Sequence, residues 1–135
     1  MLRGLLSPTG VSGKVIDALV ADRFKLVVSE SILSELAEVM RRRNVRRLRV
    51  WTDPEIERQL RVLRRLGEPV PGAYEVDLVP TDPKDNHVVA CALEGDADYI
   101  VSGDTRDLLP LKAIRVPGHD VVQIVSPAAF LKLLT

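Results

Sequence analysis

The sequence predicts a three-layer α/β/α domain in which helices cover both faces of a central, mostly parallel sheet. Amphipathic helical segments alternate along the chain with short apolar segments rich in β-branched residues, and this alternation is typical of parallel strands connected by helices. The 135 residues suit one hydrophobic core, and no repeat or linker divides them. We therefore expect a single domain spanning residues 1–135.

The first half of the chain predicts helices around one buried strand. Apolar residues recur at helical spacing from Val11 to Val20. The run from Phe24 to Val28 then predicts a strand, and Ser29 is a good N-cap for the helix that follows it directly. Further on, Thr52 to Glu55 has the pattern of a capping box with proline in the first turn, which predicts a third helix.

The second half continues the same alternation. We expect the third helix to end at Gly67 and a loop to follow from Pro69 to Pro80, with a short strand at Val76 to Val79. A fourth helix is expected to start at Asp82 to Asp85. Two further strands are expected at Tyr99 to Ser102 and at Val121 to Val125, before a last helix that starts at Ser126. Apolar side chains at helical phase in the third helix, from Ile56 to Leu66, are expected to face the core.

Composition limits the functions to consider. Lys plus Arg and Asp plus Glu number 19 each, so attraction to nucleic acid must come from local segregation of charge. Aromatic residues make up 4% of the chain, and aromatic platforms for stacking bases are therefore not expected. The absence of a membrane-length apolar segment and of a signal-peptide pattern, with a single packing cysteine at Cys91, predicts a cytoplasmic protein without membrane association.

Asp104 and Asp85 are the acids most clearly placed for chemistry. Asp104 directly follows a buried strand, and the carboxyl ends of parallel strands form the functional crevice of an open α/β sheet. Asp85 shares the helical phase of the apolar residues Val89 and Ala92, which directs its carboxylate toward the sheet. The alternatives are a turn residue for Asp104 and compensation of the helix dipole for Asp85.

Glu35 is a third candidate acid. It lies at the border of the apolar face of the second helix, whereas Glu38 lies nearly opposite that face, although a border glutamate is also typical of ordinary surface. Acids from three elements can hold a hard divalent cation through oxygen ligands, as phosphodiester hydrolysis requires. No Ser-His or Cys-His pair is evident, and His87 and His119 are expected on the surface.

Arginine is concentrated near the end of the second helix and on the third. The block suits contact with RNA phosphates, although a solvated helical face is the open alternative. The residues expected to bind RNA are Arg41, Arg42, Arg43, Arg46 and Arg47, followed by Arg49 and by Arg58, Arg61, Arg64 and Arg65 on the third helix.

Five segments together make the chain resemble the PIN domain family, in particular its VapC-like branch of toxin components from toxin–antitoxin systems. They are Leu5 to Pro8, Phe24 to Glu30 followed by Ser34 to Leu36, Asp82 to Asn86, Ala97 to Asp104, and Ile124 to Pro127. The resemblance covers nearly the whole chain, and it rests on the order and spacing of the segments.

The resemblance implies a PIN-like fold and an endoribonuclease that depends on Mg²⁺ or Mn²⁺. It places the catalytic and metal-binding acids at Glu35, Asp85 and Asp104, with Asp107 as an auxiliary ligand. It also implies RNA as the substrate, a homodimer, and a small antitoxin protein as a partner.

The chain departs from the family at its start. PIN domains open with an apolar strand ending in Asp-Thr-Asn, several residues before the segment that matches Leu5 to Pro8, so the first strand and its aspartate are expected to be absent. Asp17 is at the wrong helical phase to replace that acid. We therefore expect weak or absent metal binding and nuclease activity.

The sequence leaves two alternative functions open. The first is a PIN-like module that binds RNA or an antitoxin through its arginines without cutting. The second is a phosphoacceptor-type doubly wound domain, which would need an acidic pair after an early strand, whereas Ser29-Glu30 follows Val28 here.

Overall fold

The computed structural model describes residues 1–46, 51–79 and 85–135, with the backbone only for residues 43–46. The helices are α1 (Gly13–Val20), α2 (Glu30–Arg46), α3 (Asp53–Leu66), α4 (Asn86–Glu94) and α5 (Pro127–Leu133), and the strands are β1 (Arg3–Leu6), β2 (Lys25–Val28), β3 (Glu68–Pro69), β4 (Tyr99–Val101), β5 (Ala113–Ile114) and β6 (Val122–Val125). A short 3-10 helix lies at Leu109–Leu111.

The strands form one sheet in the order β3-β2-β1-β4-β6-β5, in which every neighbouring pair is parallel except β5 and β6. Helices α1, α2, α3 and α5 pack on one face, over Leu6, Leu26 and Val101. Helix α4 packs on the other face, over Leu5 and Ile100. The predicted three-layer α/β/α architecture with a mostly parallel sheet is therefore confirmed.

The expectation that the first strand is absent is wrong. β1 at Arg3–Leu6 is a central strand that pairs with both β2 and β4, for example through Leu5 opposite Val27 and Ile100. The residues that the resemblance places after the missing strand thus complete the sheet themselves. The aspartate expected at its end is nevertheless not in the sequence, because Ser7 follows β1 directly.

Polar contacts hold β1 at the amino-terminal edge of the sheet. The Arg3 amide donates to Oδ2 of Asp98 at 2.8 Å, and its guanidinium donates to the carbonyl oxygen of Gly95 at 2.8 and 3.2 Å. The same guanidinium forms an ion pair with Glu68 at 2.6 Å. One side chain therefore connects β1 to the segment before β4 and to β3.

The predicted helix starts are confirmed where local capping determines them. Oγ of Ser29 accepts from the Ile32 amide at 3.3 Å, and Thr52 and Glu55 form a reciprocal capping box with Pro54 in the first turn of α3. α4 starts at Asn86, with Asp85 in the cap position, whereas the predicted start at Asp82 lies outside the described residues.

Three details differ from the sequence-based expectations. Val76 to Val79 form no strand, because the amides of Leu78 and Val79 donate to a side chain, that of Asn86. Leu66 is 45% exposed, because it is the last residue of α3 and lies beyond the edge of the core. The two-residue strands β3 and β5 were not predicted. Among the described residues, no helix is long and apolar enough to cross a bilayer.

Candidate metal centre

The candidate site lies at the carboxyl ends of β1 and β4, the neighbouring strands in the middle of the sheet. The strands that follow β1 in the chain, β2 and β3, lie on one side of it, while the strands that follow β4, β5 and β6, lie on the other side, so the order of the strands reverses between β1 and β4. A reversal of this kind opens a crevice where open α/β sheets bind ligands. Ser7 and Ser102, the residues that follow the two strands, are both buried there.

A tight loop after β4 brings Asp104 and Asp107 together. Oδ1 of Asp104 accepts hydrogen bonds from the amides of Arg106 at 2.9 Å and Asp107 at 3.0 Å, which turns the backbone back on itself. Gly103 allows this turn, because a Cβ there would lie 2.7 Å from the carbonyl oxygen of Thr9. Both aspartates are half-buried as a result.

Asp85, at the start of α4, is the third acid of this group. It occupies the cap position of α4 without a side-chain hydrogen bond that caps the helix. Asp85, Asp104 and Asp107 each offer a carboxylate oxygen, and these oxygens all lie within 4.8 Å of one another. We refer to these residues as the acid cluster.

The acid cluster fits a hard divalent cation. Three carboxylates so close together repel one another unless positive charge or protons lie among them. Oxygen-only donor sets of this kind suit Mg²⁺ and Mn²⁺, whereas Zn²⁺ sites usually include nitrogen or sulfur ligands. The donor chemistry therefore agrees with the predicted metal ions.

Glu35 lies apart from the acid cluster but faces the same end of α4. Its Oε1 is 3.0 Å from Nε2 of His87, an ion-pair distance without hydrogen-bond geometry, and the side chains are 44% and 34% exposed. His87 follows Asp85 by two residues, so Glu35 stands beside the first turn of α4. His87, which was expected on the surface, is half-buried and faces Glu35. Asp17, by contrast, is exposed on α1.

A network of hydroxyl groups lies at the carboxyl ends of β1 and β4. Oγ of Ser7 is 3.2 Å from Oγ1 of Thr9, which is 3.4 Å from Oγ of Ser102. Oγ1 of Thr9 also accepts from the Gly103 amide at 3.1 Å, and Oγ of Ser102 accepts from the Asp104 amide at 2.9 Å. Sequence reasoning missed this network, because the contacts of Thr9 with Ser102 and Gly103 join residues more than 90 positions apart.

The predicted RNA-binding arginines are only partly described. Arg41 and Arg42 are exposed on α2, and Arg41 lies 3.4 Å from Glu57 of α3. The side chains of Arg43 and Arg46 and all of Arg47 lie outside the described residues.

The arginines of α3 are exposed, and one of them is firmly paired. Nε and Nη2 of Arg64 donate to the Glu30 carboxylate at 3.0 and 3.2 Å, and this contact lowers the pKa of Glu30 and raises that of Arg64. Arg58, Arg61 and Arg65 form no ion pair with any described residue. These three side chains therefore present uncompensated positive charge.

Cys91 is not part of the candidate chemistry. It is 4% exposed in the core under α4, and burial raises the pKa of its thiol from 9.0 to about 11, although a hydrogen bond with Ser29 opposes that rise. The thiol therefore stays protonated at neutral pH, and the predicted packing role is confirmed.

Comparison with known protein families decides the classification of this fold and site. The profile of the PIN domain matches residues 1–106, which include β1 to β4 and the acids Glu35, Asp85 and Asp104. The chain belongs to the PIN domain family. A search of curated proteins and a search of solved structures give no match. PIN domains are in general metal-dependent nucleases that bind nucleic acids, and this chain has an acidic cluster that could hold a metal ion.

Proposed function

We propose that this PIN domain is a metal-dependent endoribonuclease whose activity is weak because one acid of the site is replaced by serine. The observation that carries the proposal is the meeting of Asp85, Asp104 and Asp107 within 4.8 Å at the carboxyl end of the sheet. Phosphodiester hydrolysis needs a concentrated negative site that can hold a divalent cation beside the scissile phosphate.

The acid cluster would hold Mg²⁺ or Mn²⁺, with Glu35 as a further acid reaching the same end of α4. When bound, such an ion neutralises phosphate charge and supplies a hydroxide from its bound water. Asp104 keeps its orientation through two backbone amides, at 2.9 and 3.0 Å, and so meets a ligand without having to reorder. His87 keeps Glu35 close to α4 at 3.0 Å.

Ser7 is the reason to expect low activity. It is 1% exposed at the end of the central strand β1, the place from which the family's first aspartate would act. A hydroxyl can donate or accept a hydrogen bond but brings no negative charge, so the site attracts a cation less strongly than a four-acid site would.

The substrate that fits the surface is RNA held by its phosphates. Arg41, Arg42, Arg43, Arg46 and Arg47 on and after α2 would supply the contacts, together with the unpaired arginines of α3. Guanidinium groups bind phosphate oxygens through two parallel hydrogen bonds. Cytoplasmic location is the prediction from composition, whereas a homodimer and control by a small antitoxin rest on the resemblance to VapC-like toxins alone.

A second candidate function is a catalytically inactive module that binds RNA or an antitoxin. The observation that favours it is the hydroxyl network of Ser7, Thr9 and Ser102, which places neutral groups at the carboxyl ends of β1 and β4. The exposed arginines would then act in binding without cleavage.

Cleavage of mixed single-stranded RNA tests these proposals. The protein is incubated with Mn²⁺ or with EDTA beside the double variant Asp85→Asn, Asp104→Asn. An Asp96→Asn variant serves as the control, because Asp96 is an exposed acid that follows the carboxyl-terminal end of α4, whereas Asp85 lies at the start of that helix. Slow cutting that requires Mn²⁺ and disappears in the double variant supports the nuclease. Binding of RNA without any cutting supports the inactive module.

A further inference from the structure

Residues 70–79, which we call the strap, run along α4 and are tied to it at two points. The amides of residues 72–73 donate to the Glu94 carboxylate at 2.8 and 3.1 Å. The amides of residues 78–79 donate to Oδ1 of Asn86 at 2.8 and 2.9 Å. Asn86 and Glu94 are eight residues apart on one stripe of the helix, so the strap follows that stripe.

A cleft of about 340 Å³ lies between the two ties. Its lining consists of Tyr74, Glu75 and Val76 from the strap and Asn86, His87 and Ala90 from α4. Ala90, halfway between the tying residues, is buried. The cleft therefore has a small apolar residue beneath it, with rings and polar groups around it.

One end of the cleft opens beside the acid cluster. Asn86 and His87 are the two residues that follow Asp85 in the chain. Ala90 is five residues beyond Asp85, about 8 Å along the helix. A ligand in the cleft would thus be a close neighbour of a phosphate at the acid cluster.

The side chains around the cleft suit a flat heterocycle. Tyr74 is 44% exposed, and His119 contacts its ring edge-on with the ring centres 5.9 Å apart, which restrains the tyrosine ring while leaving it accessible. Glu75 is exposed and can accept hydrogen bonds at the rim. No lysine or arginine lines the cleft among the described residues, so phosphate is not the group that it fits.

We propose that this cleft binds one nucleobase of an RNA strand, next to the nucleotide whose phosphate lies at the acid cluster. The inference rests on the proposed function and adds a base-recognition site to it. Tyr74 stacks on the base, and the Glu75 carboxylate accepts from an exocyclic amino group. Cytosine offers such a donor at N4, whereas uracil presents an acceptor at O4, so the cleft favours cytosine over uracil.

Equilibrium binding of fluorescent oligocytidylate, measured by anisotropy in EDTA, tests the stacking contact without requiring cleavage. Tyr74→Ala should weaken binding by at least about fivefold, because a base stacked on an aromatic ring loses that contact. Tyr74→Phe keeps the ring and should bind as the parent does. Leu78→Ala is the matched control, since Leu78 is an exposed strap residue outside the cleft.

Oligouridylate tests the role of Glu75. The parent should prefer oligocytidylate, and Glu75→Gln should reduce that preference, because an amide can donate to O4 as well as accept from N4. The inference is overturned if the parent binds neither RNA, if Tyr74→Ala binds as the parent does, or if Leu78→Ala weakens binding equally. Manganese-dependent cleavage by the parent in any of these cases leaves the nuclease function standing and removes only the base site.

Discussion

Ser7 and Asp104 come just after neighbouring strands of the same sheet, but only Asp104 has a carboxylate side chain. The position of Asp104 after a buried strand predicted its place at the sheet edge, and helical phase predicted the same for Asp85. The partnership of Ser7, Thr9 and Ser102 could not be predicted, because it joins residues more than 90 positions apart whose hydroxyls have no distinctive pattern in the sequence. Glu35 and His87 were likewise brought together only by the tertiary structure, because α2 and α4 are separate helices on opposite faces of the sheet.

Replacing Ser7 by aspartate should raise the rate of Mn²⁺-dependent RNA cleavage by about tenfold or more, because it adds a carboxylate beside the acid cluster. The rate is measured on single-stranded RNA beside Ser7→Asn, which has the same shape without the charge. Mn²⁺ should also raise the melting temperature of Ser7→Asp more than that of Ser7→Asn. Equal rates and equal melting shifts would show that Ser7 does not face the metal site.

The Cys91 thiol should make stability depend on pH in the alkaline range. Below pH 9.0 the thiol is protonated in both the folded and the unfolded chain, whereas between 9.0 and about 11 only the unfolded chain loses the proton. The free energy of unfolding should therefore fall as pH rises through this range. Denaturant titrations should show a smaller fall for Cys91→Ala, and parallel curves for the two proteins would contradict the effect of burial on the pKa.

Helix ends were predictable where their signals are local. The hydroxyl of Ser29, the Thr52 to Glu55 capping box and the Ser126 cap of α5 each act within three or four residues, so the sequence is sufficient to identify them. Strands β3 and β5 have two residues each, which is too short for a pattern in the sequence. They are defined by their pairing with β2 and with β6, and the sequence does not reveal that pairing. Within the predicted loop, residues 76–79 were expected to form a short strand, but a side chain of α4 binds the amides of two of these residues.

Removing the Thr52 hydroxyl should destabilise the protein. Thr52→Ala leaves the Glu55 amide without its capping acceptor and breaks the reciprocal contact, at a cost of about 1 kcal/mol in the free energy of unfolding. Chemical denaturation measures the change. Thr105→Ala, at an exposed loop position, should change stability by less than about 0.5 kcal/mol, and equal effects for both variants would contradict the role of the capping box.

The whole molecule assembles its candidate site through topology. β1 and β4 are neighbours although nearly 100 residues separate them, and their carboxyl ends meet the first turn of α4 from the other face of the sheet. The alternation of helices and strands predicted the three layers and the edge of the sheet, at the carboxyl ends of the strands, where the acids lie. The alternation could not predict that residues 3–6 form a central strand, because such a short apolar segment is as typical of a loop as of a strand.

Calorimetric titration with Mn²⁺ tests the central claim most directly, because it detects the ion whether or not RNA is cut. The parent should bind one Mn²⁺ weakly, and Asp104→Asn, whose amide oxygen can still accept from the backbone amides of the loop, should bind it at least about tenfold more weakly. Asp96→Asn, at an exposed left-handed position that asparagine tolerates, should bind as the parent does. Equal affinity in all three proteins, or no binding by the parent, would contradict a metal centre at Asp85, Asp104 and Asp107.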